Sequence, residues 1–209
     1  LARVVHGSRI SLGIGFGGVA IALFGGTIIG AIAGFYGGKV DMVVMRVTDI
    51  FMAIPNILMA MIIVAVAGTS AVTIAISLGI AAIPTFTRVA RGAVLTVREM
   101  EYIESARAIG AKNSTIISKH ILPNCFAPLL VQTTLSMAII ILSVSGLSYL
   151  GMGIKAPIPE WGSMLSASRA YLQGNSYMAI FPGLAIMLTI LALNLLGDGL
   201  RDASDPKLK

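Results

Sequence analysis

Charged side chains in this chain collect in short segments separated by long uncharged runs. The uncharged runs extend from Arg9 to Lys39, from Asp49 to Arg88, from His120 to Lys155 and from Arg169 to Asp198. A bilayer core about 30 Å thick takes roughly 20 helical residues, and a centrally placed Asp, Lys or Arg costs about 2.5 to 3.5 kcal/mol there. Each run is long enough to cross. A helix lying on a soluble core would carry a polar stripe, and these runs carry none. The run from Asp49 to Arg88 is too long for one crossing. At about 1.5 Å per residue a single helix would reach roughly 57 Å, nearly two bilayer cores. Gly68-Thr69-Ser70 provides a turn-prone break near its middle, so the run reads as a hairpin. The pattern predicts five transmembrane helices at about 10–35, 51–68, 72–95, 126–150 and 178–198. The expected fold class is an all-α membrane protein, a polytopic helical bundle forming one transmembrane domain over 1–209.

Composition agrees with lipid as the main solvent: 56% of residues are hydrophobic, 11% are charged and the mean hydropathy is +0.92. Soluble domains run near 25% charged. The net charge of +6 raises the question of nucleic acid, but the positive-inside bias of membrane proteins accounts for it. With the C-terminus inside, only Arg3, Arg9, Lys155 and Arg169 of the 15 basic residues fall on the outer side. The N-terminus is therefore expected outside and the C-terminus in the cytoplasm, with lipid and no nucleic acid as the surroundings. Cys125 is the single cysteine, which excludes an intrachain disulfide. The chain opens at Leu1 with no signal-peptide pattern, and an odd number of helices follows. One further helix is expected upstream.

Several motifs reduce to scaffold. Gly18, Ala22, Gly26, Gly30, Gly34 and Gly38 recur at every fourth position and so share one helix face. Small residues there let another helix backbone approach closely. Gly13 to Gly18 matches G-x-G-x-x-G, but lies inside an apolar span rather than between a strand and a soluble helix. No phosphate-binding G-x-x-x-x-G-K-[ST] is present, so nucleotide chemistry must come from elsewhere. Asn113-Ser114-Thr115 reads as a helix cap more readily than as a glycosylation site. His6 and His120, with one cysteine, build no zinc site of ordinary spacing. No paired intramembrane carboxylates mark a proton relay. The chain is not expected to be an enzyme or to bind a metal or cofactor.

Residues 96–124 carry the most information. Glu99 to Ile109 holds no Gly or Pro, and Ile103, Ala106 and Ile109 are expected on one helical face. Gly110 is placed to stop that helix, and a second short helix should begin at Asn113 or Ser114 and run to Leu122-Pro123. Two short helices meeting at a glycine suggest a docking element, a helix laid into a partner's groove.

Glu104-Ser105-Ala106-Arg107-Ala108-Ile109-Gly110, followed by His120-Ile121-Leu122-Pro123-Asn124, resembles the EAA loop of permease subunits in binding-protein-dependent ABC importers. Ser105 stands for the first Ala of that pattern and His120 for its usual Ile. Gly7 to Leu12, Gly34 to Asp41 with Met45-Arg46, Leu147 to Gly151, Pro159 to Gly162 and Asn194 to Asp202 with Asp205-Pro206 are similar to further motifs of the dipeptide/oligopeptide/nickel branch. That branch often has an acidic residue four places before the Ser of L-S-[FY]-L-G, where this chain has Val144.

The resemblance implies a type I ABC importer permease fold and a heteromeric machine. Its partners would be a homologous second permease, two cytoplasmic ABC ATPases that bind ATP and Mg, and an extracytoplasmic solute-binding protein. Glu104, Ser105, Ala106 and Gly110 would sit in the ATPase joint, with Tyr102, Ile103 and Ile109 packing beside them. The external loop 151–177 would face the binding protein, with Trp161 as a contact or an interfacial anchor. Transport of di- or oligopeptides across the cytoplasmic membrane by alternating access is the expected function. Import of nickel or another chelated metal is the alternative within the family, and an ATPase-independent transporter or channel the alternative outside it.

Overall fold

The computed structural model describes residues 1–204, which are helical with no strand among them. Asp205-Pro206, which close the C-terminal motif, and Lys207 and Lys209 lie outside the described residues. Four helices are long and apolar enough to cross a membrane: α1 (Ala2–Tyr36), α4 (Ala71–Arg98), α8 (Phe126–Tyr149) and α10 (Tyr177–Ser204). A fifth span arises if α2 (Gly38–Met52) and α3 (Asn56–Ala67), bent by 82° at the break between them, count as one.

Here the structure corrects the sequence reading. The second span was expected at 51–68, and Gly34 to Arg46 as a connecting loop. Instead the chain turns at Gly37 (φ 65°) and immediately re-enters a helix at Gly38. It breaks only at Ala53-Ile54-Pro55, where Pro55 lacks the N–H a continuing helix needs. The 12 residues of α3 reach about 18 Å, well short of a bilayer core. Gly68-Thr69-Ser70 forms the expected turn into α4, with Gly68 at φ 88° and the Ser70 hydroxyl accepting from the Thr73 N–H at 3.0 Å. The first helix also begins earlier than expected, at Ala2.

The bundle is organised around the α1–α4 pair, its most extensive helix contact. The glycine face predicted from spacing is this contact. A Cβ at Gly26 would lie 2.3 Å from the Phe86 Cβ, and one at Gly30 would lie 2.4 Å from the Thr87 carbonyl oxygen. Backbone meets backbone there, and no side chain fits. Gly79 of α4 reciprocates against the Gly18 carbonyl, where a Cβ would stand at 2.7 Å. Gly38 falls outside the seam because α1 has already ended.

Helix α8 packs on α1, α4 and α10. Helix α10 lies outermost and turns Phe181, Leu184, Leu188, Leu191 and Leu195 outward. The segment between α8 and α10 is not a plain loop, because it contains the short helix α9 (Trp161–Ser168) and a 3-10 turn at Arg169–Tyr171. The bundle therefore has two distinct ends. One carries the C-terminus of α1 and the helix α5 (Glu101–Ala108). The other carries the N-terminus of α1 and α9.

Candidate functional site

At the α5 end, the helix begins at Glu101 after Met100 and stops at Gly110, whose φ is 80°. The Gly110 N–H donates to the Arg107 carbonyl at 3.0 Å, and the Ala111 N–H to the Ala106 carbonyl at 3.1 Å. This pair of bonds is the Schellman arrangement, which uses a left-handed residue to satisfy the last helical carbonyls. A Cβ at Gly110 would meet nothing within 4 Å, so the demand for glycine here is conformational rather than steric.

The chain then runs through a single helical turn α6 (Asn113–Thr115), a π-helical turn (Ile116–Ile121) and α7 (Leu122–Asn124). No side chain caps its start, so the expected Asn113 or Ser114 cap is not formed. The wide π turn lies just ahead of Pro123, whose missing N–H leaves the ordinary helical ladder incomplete.

The two faces of α5 differ sharply. Ile103 is 0% exposed and Ala106 is buried, both within the core that includes Ile116, Ile121 and Cys125. Glu104, Ser105 and Gly110 are exposed, and the Ser105 hydroxyl turns back to the Glu101 carbonyl at 3.0 Å. Ile109 departs from the expected face. It is 85% exposed, because two successive three-residue steps from Ile103 carry it about 120° round the helix. With the exposed Tyr102 and Ser105 it forms an i, i+3, i+7 outward stripe, flanked by Met100. The buried face pins α5 to its own chain, and the outward stripe offers apolar surface to another molecule.

Polar bonds that sequence reasoning missed fix the neighbourhood of α5. The Arg98 guanidinium donates to the carbonyls of Gly34 at 2.9 Å and Phe35 at 3.4 Å, capping the C-terminus of α1. Arg107 of α5 stacks on the Phe35 ring with its guanidinium carbon 5.3 Å from the centroid. Arg91 makes a bidentate ion pair with Asp41, and Arg88 bonds Asp49 at 2.8 Å, joining α4 to α2. The signal was available: Arg88, Arg91 and Arg98 share a helical face, as do Asp41 and Asp49 eight residues apart.

At the α9 end, the Pro159 to Gly162 motif gives no local sign of what Glu160 does. Glu160 is 0% exposed. Its carboxylate accepts from the Gly162 N–H at 2.6 Å, the Ser163 N–H at 2.7 Å, the Ser148 hydroxyl at 2.8 Å and the Ser11 hydroxyl at 3.2 Å. The first two bonds cap α9, and the others reach α8 and α1. Trp161 is neither a partner contact nor an interfacial anchor in this fold. It is buried, and its indole N–H donates to the Val4 carbonyl at 2.8 Å. Gly153 and Gly162 make the junction tight: a Cβ at either would fall within 2.5 Å of Ser148 or Ser145. Val144, one turn from Ser148, is buried in the apolar core, which suits an uncharged residue. A cavity of about 750 Å³ opens beside this junction, lined by Lys155, Ser163, Tyr171, Tyr177 and Phe181 among others.

Known proteins share both the sequence and the fold. The dipeptide transport system permease protein DppC of Alkalihalophilus pseudofirmus is 48% identical over 207 residues, covering 99% of this chain and 68% of that protein. The glutathione transport system permease protein GsiD of Pectobacterium atrosepticum is 43% identical over 208 residues, covering 100% of this chain and 69% of that one. A crystal form of the inward-facing MetNI methionine ABC transporter shares the fold, with a TM-score of 0.76 at 20% identity over 96% of this chain and 95% of that chain. Residues 26–209 match the family described as binding-protein-dependent transport system inner membrane component. The chain spans the membrane several times and belongs to that family of transport permeases.

Proposed function

We propose that this chain is the translocating subunit of an ATP-driven importer of short peptides in the cytoplasmic membrane, moved by separate ATPase subunits that dock on α5. The observation that carries this reading is the Tyr102–Ser105–Ile109 stripe, apolar surface left outward on a short helix whose opposite face is pinned by Ile103 and Ala106. Met100, Tyr102 and Ile109 together leave apolar area exposed on a short charged helix, and a patch of that kind marks an interaction surface. Glu104, Ser105 and Gly110 border the same surface and belong to the joint.

ATP and Mg are held by the ATPases, and the α5 end is the cytoplasmic one. Lys39, Arg46, Arg98, Arg107 and Lys112 gather at that end, against Arg3, Arg9, Lys155 and Arg169 at the other, in keeping with positive-inside bias. A second, homologous permease completes the pathway, and an external solute-binding protein delivers cargo to the α9 end. The relatives are named for dipeptide and for glutathione, itself a tripeptide, and this favours peptides over nickel or another chelated metal. ATP shifts the inward–outward equilibrium only by its differential affinity for the two states. A stiff joint at α5 is what carries that difference to the bundle.

The test is uptake into proteoliposomes holding the chain with its neighbouring permease and ATPases. Labelled dipeptide should accumulate only with ATP and binding protein, and unlabelled tripeptide but not nickel should compete. Accumulation without the ATPases would overturn the reading in favour of a secondary transporter. Sidedness is checked by replacing Cys125 with Ala and labelling Lys112→Cys with an impermeant maleimide. Reaction in inverted vesicles and none in intact cells is expected, and the reverse would place α5 outside.

A further inference from the structure

The Glu160 junction has more bonds than a helix cap requires. A buried carboxylate can accept about four hydrogen bonds, and all four here come from three different elements. Two N–H donors from α9 would suffice to cap that helix. The O–H bonds that Ser11 and Ser148 donate to the carboxylate add nothing to capping, but they fasten α9 to α1 and α8. Ser11 serves twice, since its oxygen also accepts from the Trp161 N–H at 3.2 Å. Among the described residues the ion pairs are Arg88–Asp49 and Arg91–Asp41, so Glu160 has no cation partner. Its charge is held by oriented dipoles alone, which act only while α1, α8 and α9 stay in register.

Helix α1 links this junction to the other end of the protein. Its 35 residues extend about 52 Å without a break. One end is held by Ser11 to Glu160 and by the Val4 carbonyl to the Trp161 indole. The other end presents the Gly34 and Phe35 carbonyls to Arg98, and the Phe35 ring to Arg107 of α5. Between them the glycine seam fixes α1 against α4. A displacement of α9 therefore has a continuous, closely packed route to α5.

We propose that Glu160 is a positioning residue for signalling across the membrane: through Ser11 and Ser148 it clamps the α9 cap to α1 and α8. Docking of the external binding protein on the α9 end is thereby relayed along α1 to α5 and raises the rate of the attached ATPases. The inference rests on the proposed function, and it assigns Glu160, Ser11 and Ser148 a role in stimulation rather than in ATP hydrolysis or substrate contact.

The test uses the whole purified complex in proteoliposomes, with ATPase rate measured without and with saturating binding protein and dipeptide. The decisive variant is Ser148→Ala, which leaves all three N–H bonds at the start of α9 in place. A second is Glu160→Asp, which keeps a good capping carboxylate but is one methylene too short to reach both hydroxyls. Each should lower the stimulation ratio at least fivefold, with the unstimulated rate within twofold of wild type. A merely structural role would instead lower complex yield and both rates together, and that result would overturn the proposal. So would a wild-type stimulation ratio in either variant. A wild-type complex that hydrolyses ATP with no response to binding protein would overturn it too, whereas failure of ATP-dependent dipeptide uptake in the same vesicles would overturn the proposed function itself, which separates the two failures.

Discussion

Replacement of Gly110 separates backbone conformation from bulk at the ATPase joint. The residue sits at φ 80°, in the left-handed region, and an added Cβ would touch nothing within 4 Å. Any loss on substitution therefore comes from the backbone or from a docked partner, and not from a clash within the chain. Holding an ordinary residue in that region costs about 1 to 2 kcal/mol, more for a β-branched one, while asparagine tolerates it. A cost of about 2 kcal/mol shifts a local equilibrium roughly 30-fold. Helix α5 is only eight residues long, and the angle at Gly110 sets how it meets the segment from Asn113. Gly110→Asn is expected to retain ATP-driven dipeptide uptake within about twofold, Gly110→Ala to lose several-fold, and Gly110→Val to lose nearly all. Tryptic cleavage after Arg107 and Lys112 should accelerate in the same order, because the turn between them opens. Asparagine and valine are similar in size. Equal failure of both would mean that a partner's surface forbids any side chain there, and wild-type uptake by Gly110→Val would refute the conformational argument outright.

Three further outcomes are expected. Gly30→Leu should lower the thermal midpoint of the detergent-solubilised complex, since a Cβ there lies 2.4 Å from the Thr87 oxygen and overpacking costs about 1 to 3 kcal/mol. Gly13→Leu, with nothing within 4 Å of its Cβ, should leave it unchanged, and equal shifts would count against the seam. Ile109→Asp should abolish copurification of the ATPases while the chain still inserts, whereas Ile103→Asp should lower the yield of folded chain; retention of the ATPases by Ile109→Asp would remove the support for docking. Burial pushes the Cys125 thiol up to about 11, so maleimide should label it slowly at neutral pH. Labelling should speed up as the pH rises towards that value, because only the thiolate reacts, and rapid labelling at neutral pH would show the site to be open.

Four of the spans and the glycine seam were legible because each follows from a local rule: hydropathy over a window, and a period of four on one helix face. The stop at Gly110 was legible for the same reason, since the left-handed position belongs to the end of one helix. Ile109 was misplaced because two three-residue steps from Ile103 drift about 120° round the helix, off the buried face. Helix α2 was missed because hydropathy marks lipid-facing helices, and this one carries Lys39, Asp41, Arg46 and Asp49. Its acids are satisfied by Arg88 and Arg91 of α4, partners that lie 39 and 50 positions away. Glu160 and Trp161 were illegible on similar grounds. Their partners Ser11 and Val4 lie 149 and 157 positions away, and nothing near residue 160 announces that it is buried.

The distribution of close contacts also determines where this bundle can move. Helices α1 and α4 cannot slide along their seam without driving backbone atoms into one another at Gly26 and Gly30. The capping of the Gly34 and Phe35 carbonyls by Arg98 closes that pair at the α5 end. The two helices therefore move as one body. Helix α2 is tied to this body near its start by the bidentate Asp41–Arg91 pair, whose side chains are mostly buried. Further along, the Asp49–Arg88 pair is about half exposed and correspondingly weak. Beyond it comes the 82° break at Pro55, and then α3, which rests on α4 and exposes much of its surface. Restraint is therefore least around the break, between the half-exposed Asp49–Arg88 pair and the buried Ala60 and Val64 that seat α3. The alternating access proposed above would meet least resistance at this bend, with the α1–α4 pair as the rigid frame against which it swings.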